Sequence, residues 1–242
     1  MYAIETVELT KKYKDVIAVD KLNLQVKKGE LFSLLGVNGA GKTTVIRMLS
    51  GLIKSTSGDA FIEGNSILQN AKAIKNIIGL SPQETAIAPN LSVKENLELF
   101  CGVYGFSKEK SKAKIKELSE QFKLHDIMSK KTAKLSGGWQ RRLSIAIALI
   151  GEPSVLFLDE PTLGLDVIAR SELWDIINSL KGRVTVILTT HYMEEAQALS
   201  DRIGIMKDGK LLITGSPDEL MKMTSADTIE KAFISIVKED RI

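Results

Sequence analysis

Apolar and polar residues alternate at the start of the chain, through Ile4-Glu5-Thr6-Val7-Glu8-Leu9 and again through Leu22-Asn23-Leu24-Gln25-Val26, with Lys28-Gly29 as a turn signal. Successive side chains of a strand face opposite sides, so this alternation predicts half-buried strands. The pattern then changes. Leu31-Phe32-Ser33-Leu34-Leu35 is a continuous apolar run that enters a glycine-rich loop. Thr44 to Leu52 has helical spacing and stops at the cluster Ser55-Thr56-Ser57-Gly58. From about Ala86 to Gly151 the periodicity is helical throughout. Two further apolar runs follow, Val155-Leu156-Phe157-Leu158 and Val184-Thr185-Val186-Ile187-Leu188, with a helix predicted between them through Leu173 to Leu180. Continuous apolar strands separated by helices predict an α/β fold with a parallel sheet covered on both faces. Arg202 to Gly215 predicts a hairpin turning at Asp208-Gly209, and helical patches around Leu220 and Phe233 complete the pattern.

Composition narrows this only a little. With 242 residues, 44% hydrophobic and 26% charged, the chain is neither disordered nor of low complexity, and its length suits one domain carrying an insert. Cys101 is the single cysteine, which excludes an intramolecular disulfide and suits a reducing compartment. Met1-Tyr2-Ala3-Ile4-Glu5 is acidic early and has no basic region before an apolar run, so no signal peptide is expected. The longest apolar stretch, Leu143 to Ile150, falls well short of the roughly 20 residues a membrane span needs.

Charge is unevenly placed. The net charge is +3, yet Gly105 to Leu135 holds nine Lys against four acidic residues, so the remainder sums to minus two. Ile115, Leu118 and Phe122 fall on one side of that stretch, with Lys112, Lys116 and Glu120 elsewhere. This reads as a solvated helix face, with a surface for anionic lipid headgroups as the alternative. Neither end is a basic tail and aromatics are only 5%, so nucleic acid is not expected as a partner.

Three motifs carry chemistry. Gly36-Val37-Asn38-Gly39-Ala40-Gly41-Lys42-Thr43 fits G-x-x-x-x-G-K-[ST] between a buried strand and a helix. Glycines there let the backbone fold around a phosphate, and amides and the helix N-terminus supply positive potential. Lys42 adds a full charge, and the Thr43 hydroxyl can ligate magnesium. Asn38, Gly39, Ala40, Gly41, Lys42, Thr43 and Thr44 are thus the candidate phosphate-binding stretch. Asp159-Glu160 closes the apolar run that starts at Val155, which offers Asp159 to a metal ion and Glu160 as the general base for an attacking water. Finally, Ser136-Gly137-Gly138 precedes an apolar helical run. Ser136 is a candidate N-cap, and the open glycine amides make a second candidate anion site.

Together with Thr189-Thr190-His191 at a strand end, these motifs occur in an order that resembles the nucleotide-binding subunit of an ABC transporter, over nearly the whole chain. The resemblance implies a phosphate-loop core with a mainly parallel sheet, an antiparallel β subdomain and a helical subdomain carrying the signature Leu135-Ser136-Gly137-Gly138. On that reading residues 1–242 form one domain, with 1–85 and 152–242 as core and about 86–151 as the inserted helical subdomain. It further implies ATP and Mg²⁺ as ligands, Tyr13 stacking on adenine, Gln83 reaching the metal and His191 contacting the γ-phosphate. Leu163-Gly164-Leu165-Asp166 would touch a second ATPase subunit, identical or not, whose Ser136, Gly137 and Gly138 close over the bound ATP. An integral membrane subunit would be the other partner, holding the chain at the cytoplasmic face of the membrane.

Two positions depart from the family pattern. Trp139 stands where the signature usually continues with Gln, and Val167 where the loop after Asp166 commonly has Pro. Magnesium-dependent ATP hydrolysis is nevertheless expected, because Glu160, His191 and Ser136 are all present. No Asn-Lys-x-Asp stretch exists for guanine. Thr190-His191-Tyr192-Met193-Glu194-Glu195-Ala196 and Gly215-Ser216-Pro217-Asp218-Glu219-Leu220 are similar to the branch that exports drugs, lipids, polysaccharides or sodium. An importer ATPase and a soluble ATPase of assembly, ribosome or DNA processes are the alternatives.

Overall fold

The computed structural model describes residues 1–239. At the N-terminus β1 (Tyr2–Tyr13) pairs antiparallel with β2 (Val16–Leu22) and with β3 (Gln25–Lys27). The strand predicted from Leu22 to Val26 is therefore broken at Asn23-Leu24. Thr6 bridges the break: its buried hydroxyl donates to Leu22 O at 2.8 Å and accepts from Leu24 N at 2.8 Å, and its N–H donates to Leu24 O at 2.9 Å, while the chain crosses over. A second irregularity serves β1 itself. Glu8 has φ 46° and forms a bulge that brings Leu9 back to the core after the exposed Val7. Gly58 makes the bulge possible, since a Cβ there would stand 2.2 Å from Glu8 O.

The central sheet begins with β4 (Leu31–Leu35), which leads into α1 (Lys42–Leu49). The chain then adds β5 (Ser57–Ile62) and the short β6 (Asn65–Ser66) to the antiparallel sheet, passes α2 (Ala71–Lys75), and forms β7 (Ile78–Ser81). A helical stretch follows: α3 (Val93–Val103), α4 (Lys108–Gln121), two short 3-10 turns at His125–Ile127 and Thr132–Lys134, and α5 (Gly137–Ala148). The remainder is β8 (Val155–Asp159), α6 (Val167–Asn178), β9 (Thr185–Thr190), α7 (Met193–Leu199), the hairpin β10 (Arg202–Lys207) and β11 (Lys210–Gly215), α8 (Pro217–Met223) and α9 (Ile229–Glu239). The hairpin turns at Asp208-Gly209, both at positive φ.

The six strands of the main sheet lie in the order β11-β10-β4-β9-β8-β7, parallel except for β11. Every residue of β4, β8 and β9 is buried, as their continuous apolar runs require. Alternate side chains of β8 serve different cores. Leu156 and Leu158 pack with helix residues Leu97, Leu118, Phe122 and Leu143, whereas Val155 and Phe157 pack with α1 and the antiparallel sheet. Ile115, Leu118 and Phe122 are buried and Cys101 packs beside them. Lys114 is the exception on α4: it is buried, with Nζ 3.0 Å from Glu117 and 3.3 Å from Glu152. Parallel register sets Leu35 beside Thr190 and Asp159 beside Thr189, so the loops that follow β4, β8 and β9 emerge at one edge.

Candidate functional site

The loop after β4 is forced to be glycine-rich by its neighbours. A Cβ on Gly36 would stand 2.4 Å from Met206 O, and one on Gly41 would stand 2.3 Å from Ala18 O. Gly39 and Gly41 also adopt φ of 85° and 100°. Gly41 is the N-cap of α1 and gives no side-chain cap, so the first amides of the helix stay open to an anion. The loop borders a cleft of about 410 Å³ lined by residues Asn38 through Thr44, Ala18, Gln83, Glu160, Leu163 and His191.

Lys42 is 4% exposed and turns over its own loop: Nζ donates to Gly36 O at 2.7 Å and to Val37 O at 3.1 Å, and stands 3.8 Å from Glu160 Oε1. Burial lowers the pKa of this ammonium, and the nearby Glu160 and Asp159 oppose that shift. Asp159 lies at the buried end of β8, where Oδ1 accepts from Thr43 Oγ1 at 3.0 Å and from Thr189 Oγ1 at 2.6 Å. Glu160 follows at φ 46°, a left-handed conformation that a glutamate adopts at a cost. Its amide is held by Thr189, through Oγ1 at 3.0 Å and O at 3.1 Å. His191 Nδ1 is buried 3.3 Å from Glu160 Oε2 without a hydrogen bond of its own, and its ring packs 4.1 Å from that of Tyr192. Lys42, Thr43, Asp159, Glu160 and His191 thus come together from three loops. Thr43 and Asp159 offer only oxygen ligands, which suits a hard divalent cation such as Mg²⁺.

The other expected residues are dispersed. Gln83 lines the cleft, but Tyr13 does not: it lies at the exposed end of β1, with Lys11 Nζ 5.0 Å from its ring centre, while Ala18 of β2 takes the cleft edge. Ser136 and Gly137 are exposed at the start of α5 and are not among the residues lining the cleft. Ser136 occupies the N-cap position with extended backbone, yet its hydroxyl makes no cap hydrogen bond. Trp139 is half-buried against the helical core with the Arg142 guanidinium 4.5 Å from its ring centre, and Arg142 pairs with Glu172. Gln140 is turned back onto Thr132 O and Leu135 O. Asp166 caps α6 by accepting from Ala169 N at 2.9 Å.

Two buried charged residues near the site escaped the sequence reading. Arg141 is on α5, and Glu195 is on α7, the helix that follows His191 in the chain. The only signal for Glu195 is its helical phase, which puts it on the same face as the buried Leu199. Arg141 gives less, since a charged residue in the first turns of a helix reads as exposed.

Known proteins resemble this chain over most of its length. The family described as "ABC transporter" matches over residues 19–163. The chain is 43% identical over 243 aligned positions to the probable multidrug ABC transporter ATP-binding protein YbhF of Escherichia coli, covering 98% of this chain and 42% of that protein. It thus spans about two-fifths of the length of that relative. It is also 43% identical to the daunorubicin resistance ATP-binding protein DrrA3 of Streptomyces coeruleorubidus, covering 91% of this chain and 70% of that one. Among solved structures, the dimeric ATP-binding cassette MJ0796, bound to ADP and Pi in a post-hydrolysis state, superposes with a TM-score of 0.80 at 28% identity, over 88% of this chain and 98% of that chain. By the extent of these matches and by its fold, the chain belongs to the ABC transporter family and has the architecture of its ATP-binding cassettes.

Proposed function

We propose that the chain binds and hydrolyses ATP with Mg²⁺ as one half of a cassette dimer that drives export through a separate membrane-spanning subunit. The convergence of Lys42, Thr43, Glu160 and His191 on one cleft, with Asp159 bonded to Thr43 at its edge, carries this reading. The open amides at the start of α1 and the Lys42 ammonium bind and orient the phosphates. Thr43, Asp159 and Gln83 would hold Mg²⁺, which when bound there neutralises charge on the phosphate oxygens. Glu160 takes up the proton of the attacking water, and His191 beside it keeps that carboxylate and the terminal phosphate in register. Tyr13 is assigned to the adenine end, beyond Ala18.

Ser136, Gly137 and Gly138 lie away from their own chain's cleft, and this supports a site completed by the signature of a second subunit. Residues 1–85 and 152–242 then act as the core, of which 240–242 lie outside the described residues, and about 86–151 as the inserted helical subdomain, although the helices share one apolar core with the sheet. Among the described residues no helix is long and apolar enough to cross a membrane. In this reading the transporter's spans belong to a separate membrane subunit, and the chain sits against it at the cytoplasmic face. The names of YbhF and DrrA3 support drug export over import.

Steady-state hydrolysis by the purified chain tests the chemistry. Glu160→Gln removes the proton acceptor and is expected to lower turnover by about 10²–10⁴-fold with ATP still bound. Undiminished hydrolysis in that variant defeats the assignment. Affinity purification from detergent-solubilised membranes tests the setting: a stoichiometric partner with several spans of about 20 apolar residues is expected. A complex with no membrane-spanning partner overturns the transporter reading.

A further inference from the structure

Arg141 is 5% exposed, and among the described residues no carboxylate stands within ion-pair distance of its guanidinium. Its partners are backbone carbonyls: Nη1 donates to Pro82 O at 2.6 Å and Nη2 to Gln83 O at 2.7 Å. Burial lowers its pKa, opposed only by the charges of Asp159, Glu195 and Glu160. A guanidinium held this way is costly to desolvate, so the geometry it enforces has to be specific. The planar fork matches two consecutive carbonyls, and the point charge of a lysine cannot do the same.

One turn further along α5, Ser144 Oγ lies 2.8 Å from Ser81 Oγ, at the end of β7. Helix α5 therefore grips the exit of β7 at three consecutive residues, Ser81, Pro82 and Gln83. The chain beyond is tied down again at Ala88, whose N–H donates to Asn96 Oδ1 at 2.8 Å and whose O accepts from Asn96 Nδ2 at 3.1 Å. Gln83 thus enters the cleft as the last fixed residue before an irregular stretch.

We propose that Arg141 is a positioning residue for Gln83, tying the helix that begins at Gly137 to the loop that delivers Gln83 to the cleft. The role in hydrolysis rests on the proposed ATPase function, but the strap itself does not. Displacement of α5 relative to β8 pulls on the two carbonyls, so the first turn of α5 and Gln83 move together.

The test uses Arg141→Lys, which keeps charge and length without the fork, and Arg141→Gln. In the nucleotide-free chain, amide hydrogen exchange at the end of β7, Gly79–Ser81, where the strand is paired with β8, is expected to rise about tenfold or more in both variants, with exchange in β9 unchanged. In ATPase assays Arg141→Gln and Gln83→Ala are each expected to lower turnover about tenfold and to raise the Mg²⁺ concentration for half-maximal rate. The double variant is expected to be no slower than Gln83→Ala alone. Unchanged exchange over Gly79–Ser81 in Arg141→Lys overturns the proposal, and so do additive losses in the double variant. An inactive wild-type chain would count against the ATPase reading alone, because hydrogen exchange reads the strap without ATP.

Discussion

Thr43 and Asp159 meet directly, Thr43 Oγ1 donating to Asp159 Oδ1 at 3.0 Å, and Thr189 Oγ1 donates to the same oxygen at 2.6 Å. One carboxylate oxygen therefore joins the start of α1, the end of β8 and the end of β9. The hydroxyl proposed for the metal is thereby set beside the carboxylate proposed to hold the same ion, and Thr189 in turn supports the amide of Glu160.

Asp159→Asn separates these roles. The amide keeps one acceptor oxygen for Thr43 and Thr189 but removes the negative charge that attracts a divalent cation. Hydrolysis is expected to fall at least about 100-fold, while ATP binding measured without Mg²⁺ changes by less than about threefold. A magnesium titration of rate beside a metal-free nucleotide titration checks both halves. Equal losses in the two would show that Asp159 acts only by holding the loop.

Glycine substitutions distinguish steric need from chain freedom. A Cβ on Gly36 would stand 2.4 Å from the backbone carbonyl of Met206, and backbone cannot swing away, so Gly36→Ala is expected to destabilise by about 1–3 kcal/mol. Gly102 is exposed within α3 and a Cβ there meets nothing within 4 Å. Gly102→Ala is expected to stabilise by about 0.4–1 kcal/mol through helix propensity and a less free unfolded chain. Urea unfolding of the three proteins gives the sign directly, and a stabilised Gly36→Ala would contradict the packing of the loop on β10.

Much of this was legible in the sequence for a physical reason. Strands β4, β8 and β9 are buried on both faces, so their apolar runs stood out, and the motifs were bound to the ends of those runs. The strand β1 was harder, since a bulge at Glu8 exchanges faces in mid-strand and the Thr6 side chain spans a break in the neighbouring strand. Strand β5 is not legible because Ser57-Gly58-Asp59 reads as a turn, whereas Gly58 is the gap that accepts the bulge. Arg141 and Glu195 could not be found in this way. A buried charge is defined by partners distant in sequence, here Pro82 and Gln83 for one and Trp174 for the other.

Glu195 makes a prediction about pH. It is fully buried, accepts from Trp174 Nε1 at 3.2 Å through Oε1, and leaves Oε2 without a partner. Thr190 and Thr162 face it from β9 and from the segment after Glu160, with the charges of Arg170 and Arg141 farther off. Burial outweighs these groups and raises its pKa above the ordinary 4.5. The folded chain then holds this proton more tightly than the unfolded one. Below the unfolded value both forms are protonated and the group contributes nothing to pH dependence. As pH rises from there to the raised folded value, the unfolded chain releases its proton first and stability falls; above that value the full loss remains. Glu195→Gln retains an acceptor for Trp174 and cannot ionise. The Tm of the variant minus that of the wild type is therefore expected to grow as pH rises from about 4 to about 8. Because the other carboxylates cancel in that difference, a curve of opposite slope would show that Glu195 is stabilised as a charged group instead.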